Sequence, residues 1–357
     1  QCISSAASDV YKRQVQGSDV AAHSAGVLDI RTNILADTDA LYLTAIDKYG
    51  HELWRWTFPV EKLNQQSEPI SFLSIRPTYT ETENDLIVKA NKRTFIFSKK
   101  DGQLKGVSVD NRKISFANGP RFIGARRADR SLDQFYNHDD EKAKEKDRTY
   151  SEFPDAAVFT KLDVKQDGGD LIVTANYKLG NLDKAQWTIN PSGDLALDYT
   201  YNFSGVVDLM GIRFDYPEDQ VISKRWLGAG PYRVWQNRIH GTQYDIWEND
   251  YNDPIPGETF TYPEFKGYFG NVSWMNIQTK EGTISLTNET PDTYIGVYQP
   301  RDGRDRLLYT LPESGISVLN VIPPVRNKVN STDLCGPSSQ PKWVNGPQTG
   351  RVIFRFM

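Results

Sequence analysis

The sequence predicts an all-β protein built mainly from a large antiparallel sandwich. Short runs rich in β-branched and aromatic residues recur along the chain, and Asp-Gly, Gly-Gly or Ser-Gly pairs separate many of them. Those pairs supply the positive φ that tight hairpins need. Aromatic residues make up 12% of the chain, a load typical of sheets and of sugar-binding surfaces. Strands at such short and regular spacing favour a sandwich over alternating β–α units.

Bulk composition excludes several classes of protein. Charged residues are 25% and hydrophobic residues 38%, as expected of a globular chain. A formal net charge of −4 gives no basic field for nucleic acid. No apolar run approaches the roughly 20 residues that a membrane-spanning helix needs. No ligand spacing predicts a metal site, so we expect neither metal nor cofactor.

The first residues do not follow the pattern of the rest. "SSAASDVYKRQ" (Ser4 to Gln14) has no strand or helix period and lacks the form of a secretory signal. Its back-translation matches a transposon-based sequencing adapter, so residues 1–14 are expected to be a library scar and the chain a fragment. A disordered natural terminus is the alternative. Without Cys2, Cys335 is the one native cysteine, and no intrachain disulfide is available.

Residues 15–66 are expected to be the C-terminal part of an immunoglobulin-like β-sandwich. "ALYLTAID" and "ELWRWTFP" are its clearest strands, and two or three strands cannot close a core unaided. The polar stretch "VEKLNQQSEP" then reads as a linker.

Residues 67–357 form the predicted large domain. Ser131 to Phe153 is its one strongly charged stretch, which we interpret as a solvated loop or short helix. The strand candidates, in chain order, are "RTFIFS", "FTKLDVK", "LIVTANYKL", "KAQWTIN", "LALDYTYNF", "MGIRFDYP", "GTISLTN", "TYIGVYQP", "ISVLNVIPP" and "RVIFRF".

Several motifs of this domain resemble the C-terminal domain of glycoside hydrolase family 2 β-galactosidases. "RWLGAGPYRVWQNRIHGTQYDIW" resembles the family's Trp-x-Gly-x-Gly-Pro-x-x-x-aromatic-x-x-Arg run. "FSKKDGQLKGVSVDNRKI", "GPRFIGARRADRS", "PEFKGYFGNVSWM", "NSTDLCGPSS" and "GRVIFRFM" are similar to the segments around it. The resemblance implies a galactose mutarotase-like supersandwich, the small-chain domain, preceded by an immunoglobulin-like domain.

The resemblance also implies a role. It predicts the non-catalytic C-terminal portion of a retaining β-galactosidase-like enzyme, which binds carbohydrate and supports hydrolysis of terminal β-galactosides. The family's two catalytic glutamates lie on a TIM barrel, and no strand–helix alternation here could build one. The fragment is therefore expected to be inactive alone. Its expected partners are a galactoside or related glycan and that barrel, with homo-oligomerisation and a bacterial cytoplasmic or periplasmic location left open.

Six residues are predicted to bind substrate on this resemblance. Gly228, Gly230 and Pro231 are expected to form a sharp turn that brings the aromatic and the Arg of the motif together. The sequence favours the alternative that Trp226 and Trp235 are core anchors and that Arg238 satisfies carbonyls beneath a loop. The predicted residues are Arg126, Asp129, Trp235, Arg238, Asp333 and Trp343.

The chain departs from the family pattern at a few positions. The family often has Glu where Arg233 stands and Arg where Phe269 aligns, so an ion pair there would be absent or rebuilt. The family's terminal loop carries a sugar-stacking Trp where Leu334 or Cys335 aligns here. Trp343 is the expected substitute.

Two other functions are weighed against this one. Asn288-Glu289 is reminiscent of the family's acid/base motif, but it lies between two strands. An aldose mutarotase would need a His with a Glu for proton transfer, for which His138 or His240 with Glu258 or Glu264 are the candidates. A stand-alone carbohydrate-binding module is the third possibility, because exposed aromatic rings can stack on sugar faces without any chemistry.

Overall fold

The computed structural model describes residues 14–17, 19–30, 38, 40–60, 75–127, 150–250, 267–297, 312, 314–324 and 336–357. Chain contacts divide the protein into two compact units, Gln1–Gln66 and Ser67–Met357. Apart from Gln14, the adapter-like residues lie outside the described part.

The first unit contains an antiparallel hairpin of β1 (Ala40–Ile46) and β2 (Glu52–Pro59). At its turn the Asp47 carboxylate accepts hydrogen bonds from the backbone N–H groups of Tyr49 and His51, both at 2.8 Å. Strand alternation then places Trp54 and Trp56 on one face of the hairpin. The immunoglobulin-like assignment remains a prediction. The described residues of this unit contain this one hairpin, and a single hairpin does not define a sandwich.

The second unit is built from strands, with short 3-10 turns at Glu218–Gln220 and Pro337–Ser339. Its strands, in chain order, are β3 (Thr78–Glu81), β4 (Asp85–Ala90), β5 (Arg93–Ser98), β6 (Leu104–Val109), β7 (Arg112–Ile114), β8 (Ala117–Arg127), β9 (Tyr150–Glu152), β10 (Val158–Asp167), β11 (Asp170–Lys178), β12 (Leu182–Ile189), β13 (Leu195–Val207), β14 (Leu209–Asp215), β15 (Val221–Gly230), β16 (Gln243–Asp250), β17 (Phe269–Gly270), β18 (Trp274–Thr279), β19 (Gly282–Asn288), β20 (Tyr294–Gly296), β21 (Ile316–Val321) and β22 (Lys342–Phe356).

These strands form two large sheets. The nine-stranded sheet has the order β10-β11-β12-β13-β22-β19-β18-β15-β16. The eleven-stranded sheet has the order β17-β20-β21-β14-β8-β6-β5-β4-β3, with β7 beside β6 and β9 beside β8. The pairings between named strands are antiparallel. The prediction of an all-β, antiparallel supersandwich is therefore confirmed.

The inner faces of the two sheets share one hydrophobic core. Phe116 stacks on Phe214 with ring centroids 4.6 Å apart, and it also meets Phe354 at 5.0 Å and Phe356 at 5.3 Å. Trp187 and Phe97, both fully buried, meet at 6.0 Å. Close packing of this kind across facing sheets is what holds a sandwich together.

The predicted turn chemistry is seen at the hairpins. Gly102 in "KKDGQ" has φ +73° and Gly193 in "PSGD" has φ +85°, a region that residues with a Cβ rarely adopt. Most of the charged Ser131 to Phe153 stretch lies outside the described residues. Its last residues were predicted as loop or helix, which is wrong for Tyr150–Glu152, because these form β9 on the edge of β8.

One end of the nine-stranded sheet continues as a two-stranded ribbon. β12 pairs with β13 only as far as Tyr201, and β19 pairs with β22 only from Val352 onward. The β13–β22 pairing extends well past both neighbours. We call the pair of segments 202–207 and 342–347 the ribbon. Its inner side is anchored in the core by Phe203, whose ring centroid lies 5.2 Å from that of Phe153.

Candidate functional site

The conspicuous Trp-Gly-Gly-Pro-Arg run ends in a tight turn. Trp235 and Arg238 form an antiparallel bridge, with the Arg238 N–H donating to the Trp235 carbonyl at 2.8 Å. Just before it, Val234 exchanges both backbone hydrogen bonds with Tyr268, at 2.8 and 2.9 Å. We call residues 235–238 the 235–238 turn.

The glycines of the run act differently from the sequence prediction. A sharp turn at Gly228, Gly230 and Pro231 is wrong for the glycines, because both lie within strand β15. Both glycines instead allow neighbouring groups to pack directly against the backbone of β15. A Cβ on Gly230 would lie 2.4 Å from the Trp247 ring, and one on Gly228 would lie 3.0 Å from the carbonyl oxygen of Asn271.

Trp235 lies beneath the turn and is 1% exposed. Its ring meets Tyr268 edge to face, with centroids 5.7 Å apart. Burial raises the pKa of Tyr268 well above its ordinary value, so this hydroxyl stays neutral. In this arrangement the indole supports the turn, as in the core-anchor alternative, and its faces are not offered to a surface ligand. The Arg238 guanidinium carbon lies 5.7 Å from the Tyr232 ring centroid, within cation–π range.

A buried glutamine joins the turn to the segment that leads into β22. The Gln236 Nε2 group donates to the carbonyl oxygens of Ser338 at 3.0 Å and Gln340 at 2.6 Å. Its backbone N–H donates to the carbonyl of Pro323, at 3.0 Å, just after β21. The Asn237 amide adds a 3.2 Å hydrogen bond to Ser339 Oγ. We call these contacts of Gln236 and Asn237 the clamp.

Arg126 lies at the same end of the sandwich. Its Nε is 3.4 Å from the carboxylate of Asp208, a residue that is 3% exposed. Asp208 connects β13 to β14, since Val207 is opposite Lys342 and Leu209 is opposite Ala125. The ion pair therefore lies where the ribbon begins.

Trp343 is the most exposed tryptophan among the described residues, at 71%. It stands on the ribbon opposite Val206, three residues after Gln340, the last residue that the clamp contacts. The ends of β8, β13 and β21, the 235–238 turn and the start of β22 thus meet at one end of the sandwich, and four of the six predicted residues lie on them.

A family model described as beta galactosidase small chain matches residues 89–322. The chain belongs to this family. No curated protein sequence matches it.

Solved structures give only distant likenesses. A galactose 1-epimerase from Lactobacillus acidophilus NCFM is 9% identical, with 80% of this chain and 99% of that chain covered and a TM-score of 0.42. A GalM/aldose epimerase homologue from C. elegans is 7% identical, with 79% and 99% covered and a TM-score of 0.35. An amine oxidase from Aspergillus nidulans is 7% identical, with 84% and 55% covered and a TM-score of 0.33. Such values carry no argument about this chain's chemistry.

The two departures from the β-galactosidase family pattern contact each other. Arg233 is 1% exposed, and its guanidinium carbon lies 5.8 Å from the ring centroid of Phe269. The guanidinium is thus within cation–π range of the ring.

The remaining candidates of the β-galactosidase small chain fall into two groups. Asp129, Asp333, Leu334, Cys335, His138, Glu258 and Glu264 lie outside the described residues. Asn288 and Glu289 are described and are engaged structurally. The Asn288 amide donates to Thr293 Oγ1 at 2.9 Å, and Glu289 pairs with Arg351 at 2.9 Å.

His240 is exposed on the chain that follows the 235–238 turn. Its backbone carbonyl accepts a 3.1 Å hydrogen bond from the Tyr232 hydroxyl. The described residues contain no grouping of His, Cys, Asp and Glu that could hold a metal ion. Within the same residues, no helix has the length and hydrophobicity needed to cross a membrane.

Sequence reasoning missed the polar residues that assemble this end of the small chain. Gln236 and Asn237 lie inside the motif that ends at Arg238, but the sequence predicts a binding role only for its Trp and Arg. Their partners lie 102 to 104 residues away, and no local pattern marks such a distant contact. Asp208 carried one usable signal, a lone acidic residue between two strongly apolar strand segments, "GVV" and "LMG".

Proposed function

We propose that this chain is a non-catalytic portion of a β-galactosidase-like glycoside hydrolase. In this role it binds carbohydrate and supports an active site that hydrolyses terminal β-galactosides. The family match over residues 89–322 carries the proposal. The catalytic glutamates, the TIM barrel and the retaining mechanism belong to the parent enzyme, on the family resemblance of the motifs.

The assembly at one end of the sandwich supports this role. It combines a buried polar clamp, an ion pair between Arg126 and the buried Asp208, and an exposed Trp343. Sugar sites commonly combine an aromatic face with a few fixed polar groups. The proposed substrate-binding set remains Arg126, Asp129, Trp235, Arg238, Asp333 and Trp343. Trp235 contributes to it by supporting the 235–238 turn from beneath.

The chain is proposed to lack hydrolytic chemistry of its own. Retaining hydrolysis needs two carboxylates about 5 Å apart, one of them with a raised pKa. Glu289, the carboxylate of the motif reminiscent of the acid/base, is bound to Arg351 instead. A mutarotase-like enzyme and a stand-alone carbohydrate-binding module are the alternative functions.

Three assays on the purified chain separate these functions. We expect no hydrolysis of an aryl β-galactoside, no acceleration of galactose mutarotation measured by polarimetry, and measurable binding of methyl β-galactoside. Hydrolysis that disappears in Glu289→Gln would overturn the non-catalytic assignment. Mutarotation that disappears in His138→Ala or His240→Ala would establish the mutarotase alternative in its place.

A further inference from the structure

Trp343 stands on a regular strand, not on a loop. It is 71% exposed, whereas the tryptophans of the sandwich core, Trp187 and Trp226, are fully buried. An aromatic ring that faces water from a regular strand offers a flat apolar face on which a sugar ring can stack.

The residues that share its face are uncharged, and three of them carry an amide or a hydroxyl group. Trp343 is opposite Val206, Asn345 is opposite Ser204, and the next row pairs Pro347 with Asn202. Residues directly opposite in an antiparallel pair point to the same side of the sheet, so these six side chains form one outer face. No Lys or Arg belongs to these three rows.

The hydrogen-bonding groups on this face are partly oriented in advance. Ser204 Oγ donates to Asn345 Oδ1 at 2.8 Å, which fixes the amide plane. The amide nitrogen of Asn345 has no acceptor within the described part of the chain. In the next row, the Asn202 amide nitrogen donates to the carboxylate of Asp183.

The ribbon is a rigid support for this face. Val207 is 0% and Phe203 is 9% exposed, so its inner side is held by the sandwich core. The clamp fixes the segment immediately before it, through the 2.6 Å bond from Gln236 to the Gln340 carbonyl. Preorganised surfaces of this kind lose little entropy on binding.

We propose that the outer face of the ribbon is a binding track for a neutral oligosaccharide. One sugar ring stacks on Trp343, and hydroxyl groups of the next sugar accept hydrogen bonds from the Asn345 amide nitrogen, roughly 7 Å farther along the strand. Asn202 and Asp183 contact the third sugar of the chain. The absence of cationic groups in the three rows excludes a polyanion as the preferred ligand.

This inference rests on the proposed carbohydrate-binding function and deepens it. The proposed function concerns a terminal β-galactoside held by a set of residues that includes Trp343, whereas the ribbon beyond Trp343 would hold additional sugars of a longer chain. The two make different predictions about chain length.

The test is isothermal titration of the full chain with methyl β-galactoside, lactose, a β-linked galactotetraose and cellotetraose. We expect the tetrasaccharide of the preferred sugar to bind at least about fivefold more tightly than the shortest ligand, because each added contact is worth a few-fold in affinity. Trp343→Ala should weaken binding of that tetrasaccharide about tenfold, and Trp343→Phe should weaken it less. Asn345→Ala should remove the gain from chain length but leave binding of methyl β-galactoside unchanged.

The matched control is Tyr79→Ala, which removes another exposed aromatic ring, 46% exposed, from an edge strand of the other sheet. It should leave every affinity unchanged. Because Trp343 and Asn345 are both exposed, their variants should also keep the melting temperature of the wild type.

The outcomes separate the two claims. If methyl β-galactoside binds but affinity neither rises with length nor falls in Asn345→Ala, the ribbon track is wrong and the proposed function stands. If cellotetraose binds through Trp343 and no galactoside binds, the track stands and the galactoside assignment is wrong. If no saccharide binds, both are wrong.

Discussion

The guanidinium group of Arg233 lies over the ring of Phe269, 5.8 Å from its centroid, in the buried region between β15 and β17. The Phe269 ring also meets Trp226 edge to face at 4.8 Å. The arginine is thus stabilised partly by an aromatic quadrupole.

This contact predicts a coupled pair of substitutions. Phe269→Arg alone should lower the free energy of unfolding by about 3 kcal/mol or more, because it places a second cation beside Arg233. Adding Arg233→Glu should recover at least about 2 kcal/mol, since it supplies a partner charge. Urea unfolding of the two single variants and the double variant measures this coupling. Strictly additive losses would contradict the account.

Glu281 ties the two sheets together. Its carboxylate accepts hydrogen bonds from the Ser115 backbone N–H at 2.8 Å, from Ser115 Oγ at 2.6 Å, and from the Tyr216 hydroxyl at 3.2 Å. Glu281→Gln keeps the shape but replaces an acceptor by a donor, so we expect a loss of about 1–3 kcal/mol. Urea unfolding measures it, with Glu83→Gln, at an exposed turn, as the unaffected control. Equal stability of both variants would show that the tie contributes nothing.

The clamp predicts a local change in dynamics. Gln236→Leu leaves the carbonyls of Ser338 and Gln340 without their donor, so the three amides within residues 337–341, those of Ser338, Ser339 and Gln340, should exchange with deuterium at least about tenfold faster. Exchange in the core strands should remain at the wild-type rate. Gln243→Leu, at an exposed glutamine on the edge strand β16, is the matched control. Unchanged exchange at 337–341 in Gln236→Leu would rule out the clamp.

Buried tyrosines predict a loss of stability at alkaline pH. Burial raises the pKa of Tyr199, Tyr201 and Tyr268 above the value of about 10 that they have when unfolded. Above that pH the unfolded chain releases phenolic protons that the folded chain retains, so stability is present below about pH 10 and falls as pH rises further. Urea unfolding between about pH 8 and about pH 11 measures the slope.

Tyr199→Phe serves as the control for this slope, because it removes one titrating group and keeps the ring. It should flatten the dependence, and a slope that is unchanged would mean that other groups cause it.

The fold could be predicted because its signals are local. Alternation within "LIVTANYKL" and a positive φ at Gly102 and Gly193 depend on a few neighbouring residues. The last part of the charged stretch was misread because β9 is strand only through its pairing with β8, which the sequence does not display.

The site could be predicted only in part, for a physical reason. The motif identified Trp235 and Arg238 as neighbours, which their backbone bridge bears out. The core-anchor interpretation agrees with the burial of Trp235, but the motif could not identify the neighbour that covers it, because Tyr268 comes from a different part of the chain. The roles of Gln236 and Asn237 depend on a segment about a hundred residues away, which only the topology brings to them.

The end of the sandwich that holds the clamp and Trp343 is proposed to bind saccharide. Hydrogen–deuterium exchange of the full chain with and without saturating lactose tests it directly. We predict protection confined to residues 235–238, 337–345 and the adjoining loops. Protection centred elsewhere in the sandwich, or none at a concentration at which lactose is shown to bind, would contradict the account.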